Sequence, residues 1–231
     1  MIPWTLLGKA QTPGNGLELS LYRRDTEFSI RAGTYELMNS RAYGSEDALA
    51  TLALEKIRNH TQPKVLVGGL GMGYTLRAAL DGLEMNAQVA VAELLPEVVE
   101  WNREFLADLA GRPLDDDRVA VYEDDVADMI KRANGEYSVI LLDVDNGPQA
   151  LIRERNNWLY SSEGLMAAFA ALRPRGVLAI WASEHESAFA RRFSRAGFEV
   201  DEVQVRARSQ KKGGAHYVVW VGVRGSGHRL R

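Results

Sequence analysis

The chain has 231 residues, of which 46% are hydrophobic and 26% are charged, and its formal net charge is −3. This composition is typical of globular proteins and excludes a mostly disordered chain, which would be poorer in apolar residues. The length predicts one large domain, or one domain with a small appendage. The chain has no cysteine, which excludes disulfides, thiolate metal sites and cysteine nucleophiles and predicts a cytoplasmic location.

Residues 1–43 are predicted to form a small β appendage. Leu17–Tyr22 and Phe28–Arg31 have the composition of two strands of a hairpin. This apolar hairpin could serve as an interface between two copies, so a homodimer is one expected assembly. The segment Met1–Trp4 has no basic region followed by an apolar one, and no signal peptide is predicted.

From Pro63 onward, strand-like and helix-like segments alternate, which is typical of βαβ units on a parallel sheet. After a helix over Ser45–Arg58, the predicted strands are Lys64–Gly68, Gln88–Ala92, Arg118–Glu123, Tyr137–Asp143 and Gly176–Ala182. The predicted helices between and after them are Gly73–Leu83, Pro96–Ala110, Val126–Ala133, Ser162–Leu172 and Glu184–Ala196.

The end of the chain predicts an antiparallel hairpin at the edge of this sheet. Its strands are Phe198–Arg206 and Ala215–Val223, joined by the polar turn Lys211–Gly214. The expected fold is therefore α/β, with a doubly wound, mostly parallel sheet of seven strands. Residues 225–231 are predicted to be a loose tail.

Apolar runs such as Tyr217–Val221 are far shorter than the roughly 18 residues that span a bilayer, so no membrane partner is expected. Since the net charge is slightly negative, nucleic acid is not an expected partner either.

A glycine-rich loop follows the first strand of the main domain. The apolar segment Val65–Gly68 runs into Gly69, Gly71 and Gly73, with a predicted helix behind them. Glycines are needed where the backbone turns with positive φ or where a ligand approaches the main chain. The spacing is G-x-G-x-G and not the G-x-G-x-x-G of dinucleotide loops, because Tyr74 stands at the sixth position.

Carboxylates follow the next two strands. Glu93 lies twenty residues after Gly73, where it could accept hydrogen bonds from both hydroxyls of a ribose. Asp124 and Asp125 follow the third strand and could cap the helix behind them. Between Glu93 and Asp128 there are twelve acidic residues against three basic ones. Such a run is either a solvated face or an acidic rim beside a site.

Asp143 comes directly after the apolar strand segment Ile140–Leu142. Because reacting groups gather at the carboxyl ends of strands in open α/β sheets, Asp143 is either a substrate-facing residue or an anchor of its loop. Asp145 and Asn146 follow it and are candidate substrate contacts. These three side chains offer oxygen ligands suited to Mg²⁺. The next strand ends in Trp181–Ser183, which has no carboxylate, so no metal site is predicted.

Tyr160 is a further candidate substrate contact. It follows the same loop together with Trp158 and Leu159. These side chains could cover a bound substrate or belong to the core, and the sequence leaves both alternatives open.

The segments with these motifs resemble class I S-adenosylmethionine-dependent methyltransferases, and more closely the spermidine synthase branch of that superfamily. They are Gly69–Arg77, Val91–Val99, Asp117–Asp125, Tyr137–Asp143 and Leu159–Glu163. The resemblance implies a Rossmann-like methyltransferase fold in which residues 44–224 bind S-adenosylmethionine and the glycine loop holds this cofactor. It also implies that Glu93 holds the ribose hydroxyls and that Asp124 accepts the adenine amino group, with Asp125 beside it. Asp143 would be a catalytic base that accepts a proton from an attacking amine.

Three positions depart from the pattern of that branch. Met72 stands where the branch has an aspartate that holds the amine of a decarboxylated donor. Asn146 replaces a second aspartate, and Gly44–Ser45 replaces a Tyr-Gln pair. Because each change removes negative charge or hydrogen bonding, the leading hypothesis is a methyltransferase that transfers a group from S-adenosylmethionine to a small-molecule acceptor. Aminopropyl transfer from decarboxylated S-adenosylmethionine is the alternative, and a non-catalytic nucleotide-binding relative is a third hypothesis.

Overall fold

The computed structural model describes residues 2–13, 17–144, 154–207 and 216–225. The strands in these ranges are β1 (Thr5–Gln11), β2 (Glu18–Arg24), β3 (Glu27–Ala32), β4 (Tyr35–Asn39), β5 (Lys64–Gly68), β6 (Gln88–Ala92), β7 (Val119–Tyr122), β8 (Tyr137–Leu142), β9 (Leu172–Ala182), β10 (Phe198–Arg206) and β11 (His216–Arg224). The α-helices are α1 (Gly44–Glu55), α2 (Tyr74–Asp81), α3 (Pro96–Arg103), α4 (Val126–Arg132), α5 (Ser162–Ala171) and α6 (Ser187–Arg195). None of these helices has the length and apolar character needed to span a membrane.

The main sheet has seven strands in the order β10-β11-β9-β8-β5-β6-β7. Strands β5 to β9 pair in parallel, whereas β11 is antiparallel to both of its neighbours. This confirms the predicted doubly wound sheet and its terminal hairpin. Strand β5 lies between β6 and β8, so the chain order reverses beside it. In open α/β sheets a ligand site forms at the carboxyl ends of the strands at such a reversal.

The main sheet is buried on both faces. Along β5, Val65 and Val67 pack into the core on one side of the sheet and Leu66 into the core on the other. Along β8, Val139 and Ile140 divide between the two faces in the same way. Strands covered on both sides are continuously apolar, which is why these segments could be recognised from the sequence.

The N-terminal appendage is larger than the predicted hairpin. It is a four-stranded antiparallel sheet in the order β1-β2-β3-β4, within the range 1–43 assigned to it. The two central strands were predicted, and the two edge strands were missed. In β1 the pairing with β2 shifts between Leu6 and Gly8, which breaks the alternation of apolar and polar residues. A Cβ atom at Gly8 would lie 2.5 Å from Nε1 of Trp101 in α3, so this glycine allows the appendage to pack against the main domain.

Several predicted boundaries move by a few residues. Strand β9 begins at Leu172 and not at Gly176, and its register against β8 shifts between Tyr137 and Val139. Helix α3 ends at Arg103, and a separate 3₁₀ turn covers Ala107–Ala110. Helix α6 begins three residues later than predicted. The predicted turn Lys211–Gly214, Asp145, Asn146 and all but the first residue of the predicted tail lie outside the described residues.

Candidate active site

A cavity of about 500 Å³ lies at the carboxyl ends of β5, β6 and β8, beneath the N-terminal sheet. Its size is within the range of small-molecule sites. The main domain contributes the glycine loop, the segment after β6 and the segment after β8. The N-terminal sheet contributes residues 36–39 of β4, together with Leu19 and Ile30. The appendage is therefore a wall of the site and not a separate unit.

All three glycines of the loop have backbone angles in the left-handed region. The φ angles are +86° at Gly69, +52° at Gly71 and +81° at Gly73. A Cβ atom at Gly69 would lie 2.5 Å from the carbonyl oxygen of Asp143, and one at Gly71 would lie 2.9 Å from Cε of Met38. The loop therefore packs closely against the segment after β8 and against the N-terminal sheet, which other residue types would prevent.

Glu93 is buried at the end of β6, with 9% of its surface exposed. Oε2 accepts a hydrogen bond of 3.0 Å from the backbone N–H of Leu70, and Oε1 accepts one of 2.9 Å from that of Leu95. Burial raises the pKa of Glu93, while these backbone hydrogen bonds act in the opposite direction. The carboxylate also lines the cavity, where it can accept hydroxyl hydrogen bonds from a ligand.

Asp124 and Asp125 line the cavity at the end of β7 but differ in their contacts. Asp125 is the N-cap of α4, and its Oδ1 accepts a hydrogen bond of 2.9 Å from the N–H of Ala127. Asp124 does not cap the helix. Its Oδ1 accepts from the N–H of Asp125, and its Oδ2 pairs with Arg132. The capping role expected for both residues therefore belongs to Asp125.

Asp143 lies at the end of β8, partly buried in the cavity wall. Its Oδ2 accepts a hydrogen bond of 2.6 Å from the hydroxyl of Thr75, in the first turn of α2. Burial raises the pKa of Asp143, and the hydrogen bond from Thr75 lowers it. A carboxylate with a raised pKa that faces a cavity is suited to exchange a proton with a substrate.

Glu46 is a cavity residue that the sequence analysis missed. It lies in the first turn of α1, is 7% exposed, and accepts a 2.5 Å hydrogen bond from the hydroxyl of Ser45. Burial and, second, the nearby charge of Asp143 raise the pKa of Glu46 to about 7. Acidic residues are common in the first turn of solvent-exposed helices, so the sequence around Glu46 contained no signal. Only the tertiary structure places it in the cavity.

Two residues from the sequence analysis lie behind the cavity and not in it. Tyr160 is 2% exposed, and its hydroxyl donates a 3.0 Å hydrogen bond to the carbonyl of Val144, a cavity residue. It therefore packs in the core and supports the wall of the cavity, which is one of the two alternatives that the sequence left open. Met72 is 1% exposed and packs in the core. Its side chain is not part of the described lining, so the inference drawn from its type has no support in the cavity.

The described lining of the cavity is acidic. It contains the carboxyl groups of Glu36, Glu46, Glu93, Asp124, Asp125 and Asp143. No lysine, arginine or histidine is among the lining residues of the described ranges. In the same ranges no three acidic or histidine side chains are placed to hold a metal ion. Only Glu93, Asp124 and Asp125 of this set belong to the acidic run of residues 93–128. The chemistry of the whole set suits an organic cation.

The strand order, the glycine loop and the carboxylate after β6 define a Rossmann-like fold of the S-adenosylmethionine-dependent methyltransferase type. The chain belongs to the spermine/spermidine synthase domain family, whose model matches residues 45–219. This confirms the resemblance found in the sequence.

Individual relatives are distant. The chain is 27% identical to a polyamine aminopropyltransferase of Prochlorococcus marinus (strain MIT 9301) over 124 residues. That match covers 53% of this chain and 42% of the relative, so it spans less than half of the relative's length.

Two solved structures have the same fold. A spermidine synthase from Thermotoga maritima aligns with a TM-score of 0.74 and 18% identity, over 96% of this chain and 74% of that chain. A spermidine synthase in complex with the transition-state analogue AdoDATO aligns with a TM-score of 0.72 and 18% identity, over 96% of this chain and 73% of that chain.

Proposed function

We propose that this chain is an aminopropyltransferase that uses decarboxylated S-adenosylmethionine and a small primary amine. The observation behind this proposal is the charge of the cavity, whose described lining has six carboxyl groups and no cationic side chain. Both substrates would be cations, since the donor has a sulfonium and an ammonium group and an alkyl amine is protonated at neutral pH. An acidic, partly buried cavity attracts and binds such molecules.

The same charge argues against the leading hypothesis of methyl transfer. S-adenosylmethionine differs from the proposed donor by a carboxylate. In this cavity that carboxylate would lie among acidic side chains without a described cationic partner, which is unfavourable. The sequence-based argument for the carboxylated form depended in part on Met72, whose side chain is buried in the core. The names of the relatives, a polyamine aminopropyltransferase and two spermidine synthases, point in the same direction.

The residues of the cavity suggest a place for each part of the donor. Glu93 would accept the ribose hydroxyls, with its backbone contacts to the glycine loop holding it in position. Asp124 and Asp125 would lie at the adenine end, at the carboxyl end of β7. The open backbone at Gly69 and Gly71 would allow the nucleoside to approach the main chain.

Asp143 would be the catalytic base. In the reaction, the ammonium group of the acceptor first loses a proton to Asp143, which gives a neutral amine. The lone pair of this nitrogen forms a bond to the aminopropyl carbon next to sulfur. The carbon–sulfur bond breaks, its electron pair neutralises the sulfonium, and the thioether 5′-methylthioadenosine leaves, while the product nitrogen remains protonated as a secondary ammonium. The two reactants need only be held in line, so the protein contributes mainly by positioning them.

The test is to incubate the protein with decarboxylated S-adenosylmethionine and a set of aliphatic mono- and diamines, and to detect the products by mass spectrometry. We expect an aminopropylated amine and 5′-methylthioadenosine in equal amounts, and loss of both in the Asp143→Asn variant. Incubation with S-adenosylmethionine is the parallel reaction. A methylated product formed only there would establish methyl transfer, and no product from either donor would favour the non-catalytic hypothesis.

A further inference from the structure

Glu46 is a buried carboxyl group without a cationic partner among the described residues. Its Oε2 accepts a hydrogen bond of 2.5 Å from the neutral hydroxyl of Ser45. The next residue, Asp47, pairs with Arg77 at the outer side of the same helix. A buried carboxylate without a counter-ion is costly, so such a group either keeps its proton or binds a cation. Its place in the cavity wall makes the second role possible.

The negative charge of Asp143 makes a cation beside Glu46 more favourable. Both side chains line the cavity, and the charge of Asp143 acts on Glu46 in addition to the effect of burial. Two neighbouring carboxylates in a partly buried site do not both ionise easily in the absence of a positive charge. An ammonium group between them would allow both to ionise, and it would be bound more tightly for that reason.

Two aromatic side chains complete the surroundings of Glu46. The rings of Trp181 and Tyr217 both line the cavity, with their centroids 4.7 Å apart. Burial and, second, the charge of Glu46 raise the pKa of Tyr217, so this ring lies near the carboxyl group. The buried indole N–H of Trp181 has no hydrogen-bond partner within the described chain. Aromatic faces beside a carboxylate are a common environment for an alkylammonium group.

We infer that Glu46 binds a primary ammonium group of a substrate in the cavity, on the side of Asp143. Glu46 would thereby provide a negative charge for the substrate ammonium, which the uncharged Met72 in the glycine loop cannot provide. This inference rests on the proposed function for the identity of the substrates. The ammonium could belong to the aminopropyl donor or to the acceptor amine, and binding measurements distinguish the two.

The experiment is calorimetric titration of the wild-type protein and of the Glu46→Gln variant. The probes are 5′-methylthioadenosine, which has the nucleoside and no ammonium, decarboxylated S-adenosylmethionine, and 1,4-diaminobutane in the presence of 5′-methylthioadenosine. We expect the variant to bind 5′-methylthioadenosine as the wild type does and to lose at least tenfold in affinity for one of the two amines. The amine that is affected identifies the source of the ammonium. The matched control is Glu55→Gln, at the exposed end of the same helix.

Amine affinities within twofold of wild type in the Glu46→Gln variant would overturn the inference, and so would a wild-type protein that binds neither amine. A second measurement needs no variant. Titration of wild-type protein near pH 6.5 in two buffers of different ionisation enthalpy should reveal net proton release when the amine binds, because the ammonium group would replace the proton on Glu46. No release would contradict the inference. The proposed function fails separately, if amines bind through Glu46 but no aminopropylated product forms.

Discussion

Gly69 lies directly against the main chain of Asp143, so that a Cβ atom at residue 69 would come within 2.5 Å of the Asp143 carbonyl oxygen. The backbone N–H of Asp143 also donates a 3.0 Å hydrogen bond to the carbonyl of Gly68. The loop proposed to hold the nucleoside and the residue proposed as the base are thus fixed to each other through the backbone. A small movement of one should be transmitted to the other.

The Gly69→Ala variant should therefore lose both stability and activity. The positive φ angle alone costs an alanine about 1–2 kcal/mol, and the collision with Asp143 adds to that cost because backbone atoms must move. Gly111→Ala is the control, since Gly111 has a φ angle of +73° and no described atom within 4 Å of the added Cβ. Thermal unfolding should give a clearly larger loss at residue 69. Equal losses at the two positions would mean that the contact with Asp143 is unimportant.

Replacing Thr75 with valine should change the pH dependence of catalysis. The hydroxyl of Thr75 donates a 2.6 Å hydrogen bond to Asp143 and lowers the pKa of its carboxyl group. Without it, the pKa of Asp143 rises, and the ionised base forms only at higher pH. We expect the acidic limb of the kcat/KM profile to move to higher pH and the rate at pH 7 to fall about tenfold, from the value of a hydrogen bond to a charged group.

The control for this variant is Thr51→Val, which removes an exposed helical hydroxyl that donates to the backbone carbonyl of Asp47. Its pH profile should match that of wild type. A Thr75→Val profile that keeps its shape but has a lower maximum would instead indicate a general disturbance of the site.

The Glu93→Gln variant should bind the nucleoside poorly. Both carboxylate oxygens of Glu93 accept backbone N–H groups, from Leu70 and Leu95. A glutamine has only one acceptor oxygen, so its amide NH₂ would face one of these donors, at a cost of about 1–3 kcal/mol of stability. We expect at least a tenfold loss of affinity for 5′-methylthioadenosine. Glu100→Gln, on the exposed face of α3, should change neither quantity.

The stability of the empty protein should depend on the ionisation of Glu46. Its pKa is raised from 4.5 to about 7, so the stability that it contributes is fully present below about pH 4.5 and is lost as the pH rises through about 7. The shift corresponds to roughly 3 kcal/mol. The other ionisable groups that act on it or lie beside it are Asp143, Asp47 with its partner Arg77, Tyr74 and Tyr217.

Denaturant unfolding of wild type and of Glu46→Gln between pH 5 and 8 measures this contribution. Glutamine resembles the protonated acid, so the variant should be similar to wild type at pH 5 and more stable at pH 8. Parallel curves over the whole range would contradict the raised pKa. Glu55→Gln again serves as the control, because it is exposed and should leave the pH dependence unchanged.

The sequence alone determined the features that depend on local pattern. The apolar runs of β5, β6 and β8 predicted a doubly wound sheet because strands buried on both faces must be continuously apolar. The spacing from the glycine loop to Glu93 predicted a nucleoside site because both lie at carboxyl ends of adjacent strands. Asp143 was identified for the same reason.

Only the tertiary structure decided which side chains face the cavity. In the sequence, Glu46 resembles an ordinary acidic residue of a first helical turn, but packing buries it in the cavity wall beside Asp143. Met72 and Tyr160 resemble candidate contacts in the sequence, but packing buries both in the core. The edge strands β1 and β4 were also invisible, because an edge strand is only partly covered and lacks a regular apolar pattern. Orientation and burial arise from contacts between residues distant in the chain, and these contacts gave the cavity the charge on which the proposed function rests.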